Sequence, residues 1–276
     1  MTHPPRVRRS LPSPTGPRTR GSLLVVGVGL AGPAHVTRET LGAIRAAERH
    51  FVLVADLLTL EWLLALAPGA ENLVDSYGVG KSRDDTYEEI VERMLAPVRA
   101  GLGVCAAFYG HPGVFVMPAH EAIRRARAEG HDAEMLPGVS AEDCLIADVG
   151  FDPGAAGCAS FEATDFLIRH RVFDPTGALL LWQIGGIGVS DFRSDAYWNP
   201  RGVEILAETL ASTYGVEHEV IVYEASPYPV VEPVVHRCPV AELARAPISI
   251  GSTLLVPPLP AREIDRGLLA ALRGEG

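Results

Sequence analysis

The chain has 276 residues, 47% apolar and 21% charged, enough for a large core in one domain or two. Its formal net charge of −10 argues against gripping a phosphate backbone, so no nucleic-acid partner is expected. No apolar run reaches the ~18 residues of a membrane span. The four cysteines (Cys105, Cys144, Cys158, Cys238) stand far apart without a C-x-x-C pair, as in a reduced, cytoplasmic protein.

Residues 1–20 hold five Pro, five Arg and no acidic residue, a composition that predicts a disordered basic tail. It has no hydrophobic stretch of the signal-peptide kind. Folding is expected to begin at Leu23-Leu24-Val25-Val26, a buried-strand pattern. Gly27-Val28-Gly29-Leu30-Ala31-Gly32-Pro33 follows, and Thr37 is placed to cap a helix. The G-x-G-x-x-G spacing suggests a dinucleotide site, with Asp56 as its acidic partner. Residues 33–36 intervene before the helix, however, where pyrophosphate would need the helix to open directly on the glycines.

Next come a strand over 50–56, a helix over 59–66 and a strand over 71–77. Gly80-Lys81-Ser82 looks like the end of a phosphate loop, but Asp75 occupies the position of the required first glycine. Tyr87, Ile90, Val91, Met94, Leu95 and Val98 recur on one helical face. Arg83 lies one turn before Tyr87, so a guanidinium and a phenol share the start of that helix. Periodicity alone favours Tyr87 as a core residue.

The run Gly103-Val104-Cys105-Ala106-Ala107-Phe108 reads as a strand of a parallel sheet, buried on both faces. Tyr109-Gly110-His111-Pro112-Gly113-Val114-Phe115 follows at the strand exit, where open parallel sheets bind ligands. A helix from about Met117, an edge strand over 132–136 and a helix over 141–149 complete this half, with Ser140 either an N-cap or a ligand contact. The second half reads as strands over 157–163, 178–183, 217–225, 234–239 and 253–256, with helices over 202–214 and 264–273. Fewer helices separate these strands, which suggests a mixed sheet. Gly185-Gly186-Ile187-Gly188 forms a second glycine-rich strand exit. The expected organisation is a tail over 1–20, an α/β lobe over 21–150, a second over 151–260 and a terminal helix over 261–276. A ligand would lie in the cleft between the lobes.

Taken together, the glycine loop with Thr37, the Tyr109–Phe115 segment and Leu136-Pro137-Gly138-Val139-Ser140-Ala141-Glu142-Asp143-Cys144-Leu145 resemble the tetrapyrrole-methylase superfamily. Within it, Gly80-Lys81-Ser82-Arg83 with Thr86-Tyr87, Phe161-Glu162-Ala163-Thr164-Asp165-Phe166-Leu167 and Leu181-Trp182-Gln183-Ile184 resemble the borosin peptide α-N-methyltransferases. The resemblance implies a two-lobed α/β fold, with a mostly parallel N-terminal sheet and a mixed C-terminal sheet. It implies S-adenosylmethionine as cofactor, with S-adenosylhomocysteine as product. It implies cofactor contacts at Gly29, Tyr109, His111, Val114, Phe115, Ser140, Ala141, Gln183 and Thr253, and a catalytic set of Tyr77, Arg83 and Tyr87. It further implies a homodimer and, for the split type, a separate precursor peptide bound in a 2:2 complex. Two rival readings remain: a methylase of a tetrapyrrole-type small molecule, and a catalytically silent partner that only binds peptide.

Overall fold

In a computed structural model, residues 20–54, 56–189, 199–228 and 230–274 are described. The expected tail over 1–20 lies outside them except for Arg20. The first sheet contains β1 (Ser22–Gly27), β2 (Arg49–Leu53), β3 (Glu71–Asn72), β4 (Gly103–Phe108) and β5 (Asp132–Leu136). Its order is β3-β2-β4-β1-β5, and every pairing is parallel. Helices α1 (Arg38–Ala46), α2 (Leu57–Leu66), α3 (Arg83–Arg99) and α4 (Met117–Ala128) connect these strands.

Side chains alternate across a strand, and both faces of this sheet are covered. Leu23, Val25, Val104, Ala106 and Phe108 pack with Ile90, Met94 and Leu95 of α3 and Ala119 and Ala122 of α4. Val26, Cys105 and Ala107 pack on the opposite face, with Ile44 of α1 and Leu63 of α2. Every residue of β4 is buried, which explains its uninterrupted apolar sequence.

The strand expected over 71–77 stops after Asn72. The Asn72 side chain accepts from the Val74 amide at 3.0 Å and starts a 3-10 turn, Leu73–Ser76, that ends the strand before Tyr77, whose ring still packs against the core on one face of the sheet. Lys81 and Arg93 then tie this turn to α3. Lys81 Nζ donates to the Ser76 carbonyl at 2.9 Å, and Arg93 Nη1 to Ser76 Oγ at 2.9 Å.

The second sheet contains β6 (Cys158–Glu162), β7 (Ala178–Trp182), β8 (Glu219–Glu224), β9 (Val234–Pro239) and β10 (Thr253–Val256), in the order β6-β7-β10-β8-β9. Only β6–β7 is parallel, so the sheet is mixed as expected. Helices α5 (Ala141–Val149), α7 (Ala163–Ile168) and α8 (Pro200–Tyr214) pack on it, and the single turn α6 (Pro153–Ala156) and α9 (Arg266–Leu272) complete the helices of this half. Leu145 of α5 packs with Leu180, Trp182, Ile221 and Tyr223, and the Tyr223 hydroxyl donates to Asp148 at 2.7 Å. Helix α7 is absent from the sequence reading, which ran a strand to Ala163. Glu162 ends that strand by accepting the amides of Thr164 and Asp165 at 2.9 and 2.7 Å.

An ion-pair network joins α3 to α4. Arg125 contacts Glu88, Glu92 and Glu121, and Arg99 contacts Glu92 and Glu129. Hydrogen bonds from Arg124 and Arg125 pull the Glu121 carboxyl down to about 2. A depressed carboxyl stabilises the fold above its ordinary value and loses that contribution as pH falls toward its folded value. Single exposed pairs contribute little, so the shared guanidinium is the informative target. Arg125→Ala is expected to lower the melting temperature at neutral pH and low salt. The difference should shrink in high salt, and again as the pH falls from about 4.5 toward about 2, as followed by circular dichroism.

Candidate active site

The carboxyl ends of β1 and β4 and the segment after β5 meet at three glycines. A Cβ on Gly27 would lie 2.6 Å from the Gly110 carbonyl oxygen and 2.7 Å from Gly138 Cα, and one on Gly138 would lie 2.3 Å from the same oxygen. Gly29 and Gly110 exchange backbone hydrogen bonds of 3.2 and 2.8 Å. Gly29 has φ +72°, and a Cβ there would strike the His35 side chain at 2.2 Å. His35 Nδ1 accepts the amides of Leu30 and Ala31, and Thr37 caps α1. The loop is therefore closed by its own side chains. Asp56 caps α2 through Thr59 at 2.8 Å, a structural duty that removes it from the dinucleotide reading.

The Tyr109–Phe115 segment leaves β4 over this cluster. Tyr109 donates its amide to Leu53, and Val114 donates its own to His111. His111 Nδ1 accepts from the Gly113 amide at 2.9 Å, rather than the ring donating to a carbonyl. Tyr109 (46%), Val114 (38%) and Phe115 (48%) remain exposed, and Phe115 adopts φ +56°, a strained conformation for a side-chain-bearing residue.

The second glycine-rich exit stands beside it. Phe115 meets Trp182 of β7 with ring centroids 5.8 Å apart, and Trp182 Nε1 donates to Ser160 Oγ at 2.6 Å. Gln183, which follows Trp182, is in the left-handed region with φ +58° and is exposed. Thr253, the first residue of the antiparallel neighbour β10, is buried. Ser140 is also buried and forms a capping box with Asp143, so the N-cap reading of that residue is realised. Ala141 follows it as the first residue of α5.

Tyr77, Arg83, Tyr87 and Tyr109 form one electrostatic cluster. Burial is the first cause that pushes the Tyr77 phenol up to about 12; the Tyr87 and Tyr109 phenols add to it, and the Arg83 charge opposes it. Crowding by protein raises Tyr109 in turn, with Tyr87 as second cause, although part of its ring faces solvent. Ser82 caps α3, which places Arg83 and Tyr87 on its first turns. Both are half-buried, whereas Ile90, Met94 and Leu95 farther along the stripe are fully buried. Arg83 has no salt bridge among the described residues, unlike Lys81 and Arg93 nearby. The sequence reading missed Lys81, Arg93 and Trp182 as supports. Lys81 and Trp182 stood inside the quoted motifs, but nothing in their spacing showed which partner each would find.

An open cavity of about 440 Å³ borders the glycine loop and the start of α5, lined by Ala31, His35, Val139, Asp143, Tyr228 and Glu232 among others. None of the Tyr109–Phe115 residues lines it, so the candidate site rests on the two strand exits. Among the described residues, no group of three His, Cys, Asp or Glu could hold a metal, and no helix is long and apolar enough to cross a membrane.

The chain is 41% identical over 256 residues to a methyltransferase/ribosomally synthesized cyclic peptide dendrothelin A precursor from Dendrothele bispora, covering 91% of this chain and 61% of that protein. It is 42% identical over 242 residues to the corresponding omphalotin A precursor protein of Omphalotus olearius, covering 86% of this chain and 58% of that one. A type III borosin cyclic peptide precursor from Anomoporia bombycina is 40% identical over 259 residues, with coverage of 92% and 30%. The chain thus spans about six-tenths or less of the length of these relatives. Among solved structures, uroporphyrin-III-C-methyltransferase from Thermus thermophilus superposes with TM-score 0.61 at 23% identity, covering 93% of this chain and 96% of that one. Residues 22–244, which hold the first sheet, both glycine-rich exits and four of the five strands of the second sheet, match the Tetrapyrrole (Corrin/Porphyrin) Methylases, and the chain belongs to the tetrapyrrole methylase family.

Proposed function

We propose that this protein is an S-adenosylmethionine-dependent methyltransferase that N-methylates backbone amides of a ribosomally made precursor peptide. The observation that carries this reading is the cluster of Arg83 with Tyr77, Tyr87 and Tyr109 beside the paired strand exits. The similarity to methyltransferases named together with cyclic-peptide precursors supports it.

The residues fit the cofactor. The glycine cluster leaves the backbone of the first exit bare, and Tyr109, Val114 and Phe115 offer apolar and aromatic surface for an adenosyl group. Gln183, Ser140, Ala141 and Thr253 are the polar and close-packed contacts we assign, with Gly29 and His111 shaping the loop. When bound, S-adenosylmethionine supplies an electrophilic methyl group and leaves as S-adenosylhomocysteine.

The protein must make an amide nitrogen nucleophilic. Its lone pair is delocalised into the carbonyl, so the N–H proton has to leave while negative charge gathers on the carbonyl oxygen. Arg83, always charged and without a salt bridge among the described residues, is assigned to that oxygen. The proton passes to a tyrosine oxygen in its ionised, phenolate form, which becomes the neutral phenol. Tyr77, with its phenol pushed up to about 12, keeps its proton at neutral pH and serves better as a donor that orients the peptide. Tyr87, one helical turn from Arg83 on the same face of α3, is assigned as the base. Methyl transfer to that nitrogen would need orientation above all, which Arg83 and Tyr77 would supply by holding the peptide.

We further propose the split arrangement, with the precursor a separate chain, and a cytoplasmic homodimer that binds two precursors. Helix α2 offers the dimer an apolar face: Leu57 is 73% exposed and Leu58 63% exposed. The cofactor assignment is tested by calorimetric titration of S-adenosylhomocysteine into the purified chain. One site per chain is expected, with a rise in melting temperature from ligand linkage; absence of binding would remove the reading. Intact-mass measurement of the enzyme expressed alone tests the split arrangement, which predicts no self-methylation.

A further inference from the structure

We propose that His120 is a positioning residue for the cofactor loop, on the reading that Tyr109–Phe115 holds the cofactor. The loop is pinned at Gly113 from two sides. The Gly113 amide donates to His111 Nδ1 at 2.9 Å, and His120 Nε2 lies 2.9 Å from the Gly113 carbonyl oxygen. A carbonyl only accepts, so His120 carries its proton on Nε2. His111 accepts on Nδ1, so its neutral ring carries the proton on Nε2, turned away from Gly113.

Fixing the Gly113 carbonyl fixes the plane of the peptide that leads into Val114 and Phe115. These are two of the exposed side chains at the site, and Phe115 is held at φ +56°. No other hydrogen bond among the described residues reaches that carbonyl. Close packing supports the same point: a Cβ on Gly113 would lie 3.0 Å from His111 Cε1 and 3.1 Å from Met135 Sδ.

His120 has little else to do. It sits in the first turn of α4, exposed, while the buried face of that helix is made by Pro118, Ala119, Ala122, Ile123 and Ala126. Its loss should leave the core intact and free the carbonyl to rotate.

The test uses S-adenosylhomocysteine as probe, titrated calorimetrically into the full chain and into His120→Ala and His120→Gln, with melting temperatures recorded without ligand. His120→Ala is expected to weaken binding about three- to tenfold, the worth of one hydrogen bond, without moving the ligand-free melting temperature. The amide nitrogen of His120→Gln stands at nearly the reach of Nε2 and should recover most of the affinity. Equal affinity in the wild type and His120→Ala would overturn the inference while leaving the cofactor site standing. A joint fall of affinity and melting temperature that Gln does not rescue would reduce His120 to a structural role and also overturn it. No binding to the wild type would instead remove the cofactor reading on which the inference rests.

Discussion

Replacing Tyr87 by Phe is expected to abolish peptide methylation while leaving cofactor affinity unchanged. The substitution removes one oxygen from a half-buried ring and keeps the ring's place at the start of the α3 stripe, so the fold should not suffer. If the Tyr87 oxygen takes the amide proton, turnover should fall about 10²–10⁴-fold, the usual contribution of a positioned base. Arg83→Ala should cost a comparable about 10²–10³-fold by leaving the carbonyl charge unopposed. Arg83→Lys should recover only part of it, because a point charge replaces a planar fork. Both effects belong in kcat, with S-adenosylhomocysteine affinity by calorimetry as the control. Tyr77→Phe should be the milder change. Rate retained in Tyr87→Phe and lost in Tyr77→Phe would exchange the two roles.

The second large effect is steric. Gly138→Ala places a methyl group 2.3 Å from the Gly110 carbonyl oxygen and 2.7 Å from Gly27 Cα. Both obstacles are backbone atoms on different strand exits, so no side chain can swing aside. Overpacking of this kind costs about 1–3 kcal/mol, and here the strain falls on the loop proposed to hold the cofactor. The variant should melt earlier and bind S-adenosylhomocysteine at least tenfold more weakly, a loss of about 1.4 kcal/mol. Gly42→Ala is the matched control. It lies inside α1 with nothing within 4 Å of the added carbon, so it should be neutral or stabilise the helix by up to about 1 kcal/mol.

Much of this was legible in the sequence because it rests on local rules. The uninterrupted apolar run 103–108 announced a strand covered on both faces, and β4 is that strand. The stripe from Tyr87 to Val98 announced α3. The Arg83–Tyr87 spacing placed two candidate residues on one helical face, and in the structure Tyr77 and Tyr109 share their electrostatic neighbourhood. Tyr77 shows where local reading stops. Its segment looked like a strand because Leu73 and Val74 are β-prone, but one Asn72 side chain captured an amide and turned the chain out of the sheet. Helix α7 was missed for a similar reason: a glutamate that reads as a strand residue became a cap. The contacts that join the two exits, Phe115 with Trp182 and His120 with Gly113, depend on tertiary placement. No periodicity encodes them.

The most direct test of the central claim is fragmentation mass spectrometry of a separate precursor peptide co-expressed with this protein and with its Tyr87→Phe variant. The account predicts methyl groups on backbone nitrogens with the wild type and none with the variant. Methylation confined to side chains, or a precursor left unmodified by an enzyme that binds S-adenosylhomocysteine, would contradict it and return the site to a small-molecule methylase or a silent peptide-binding protein.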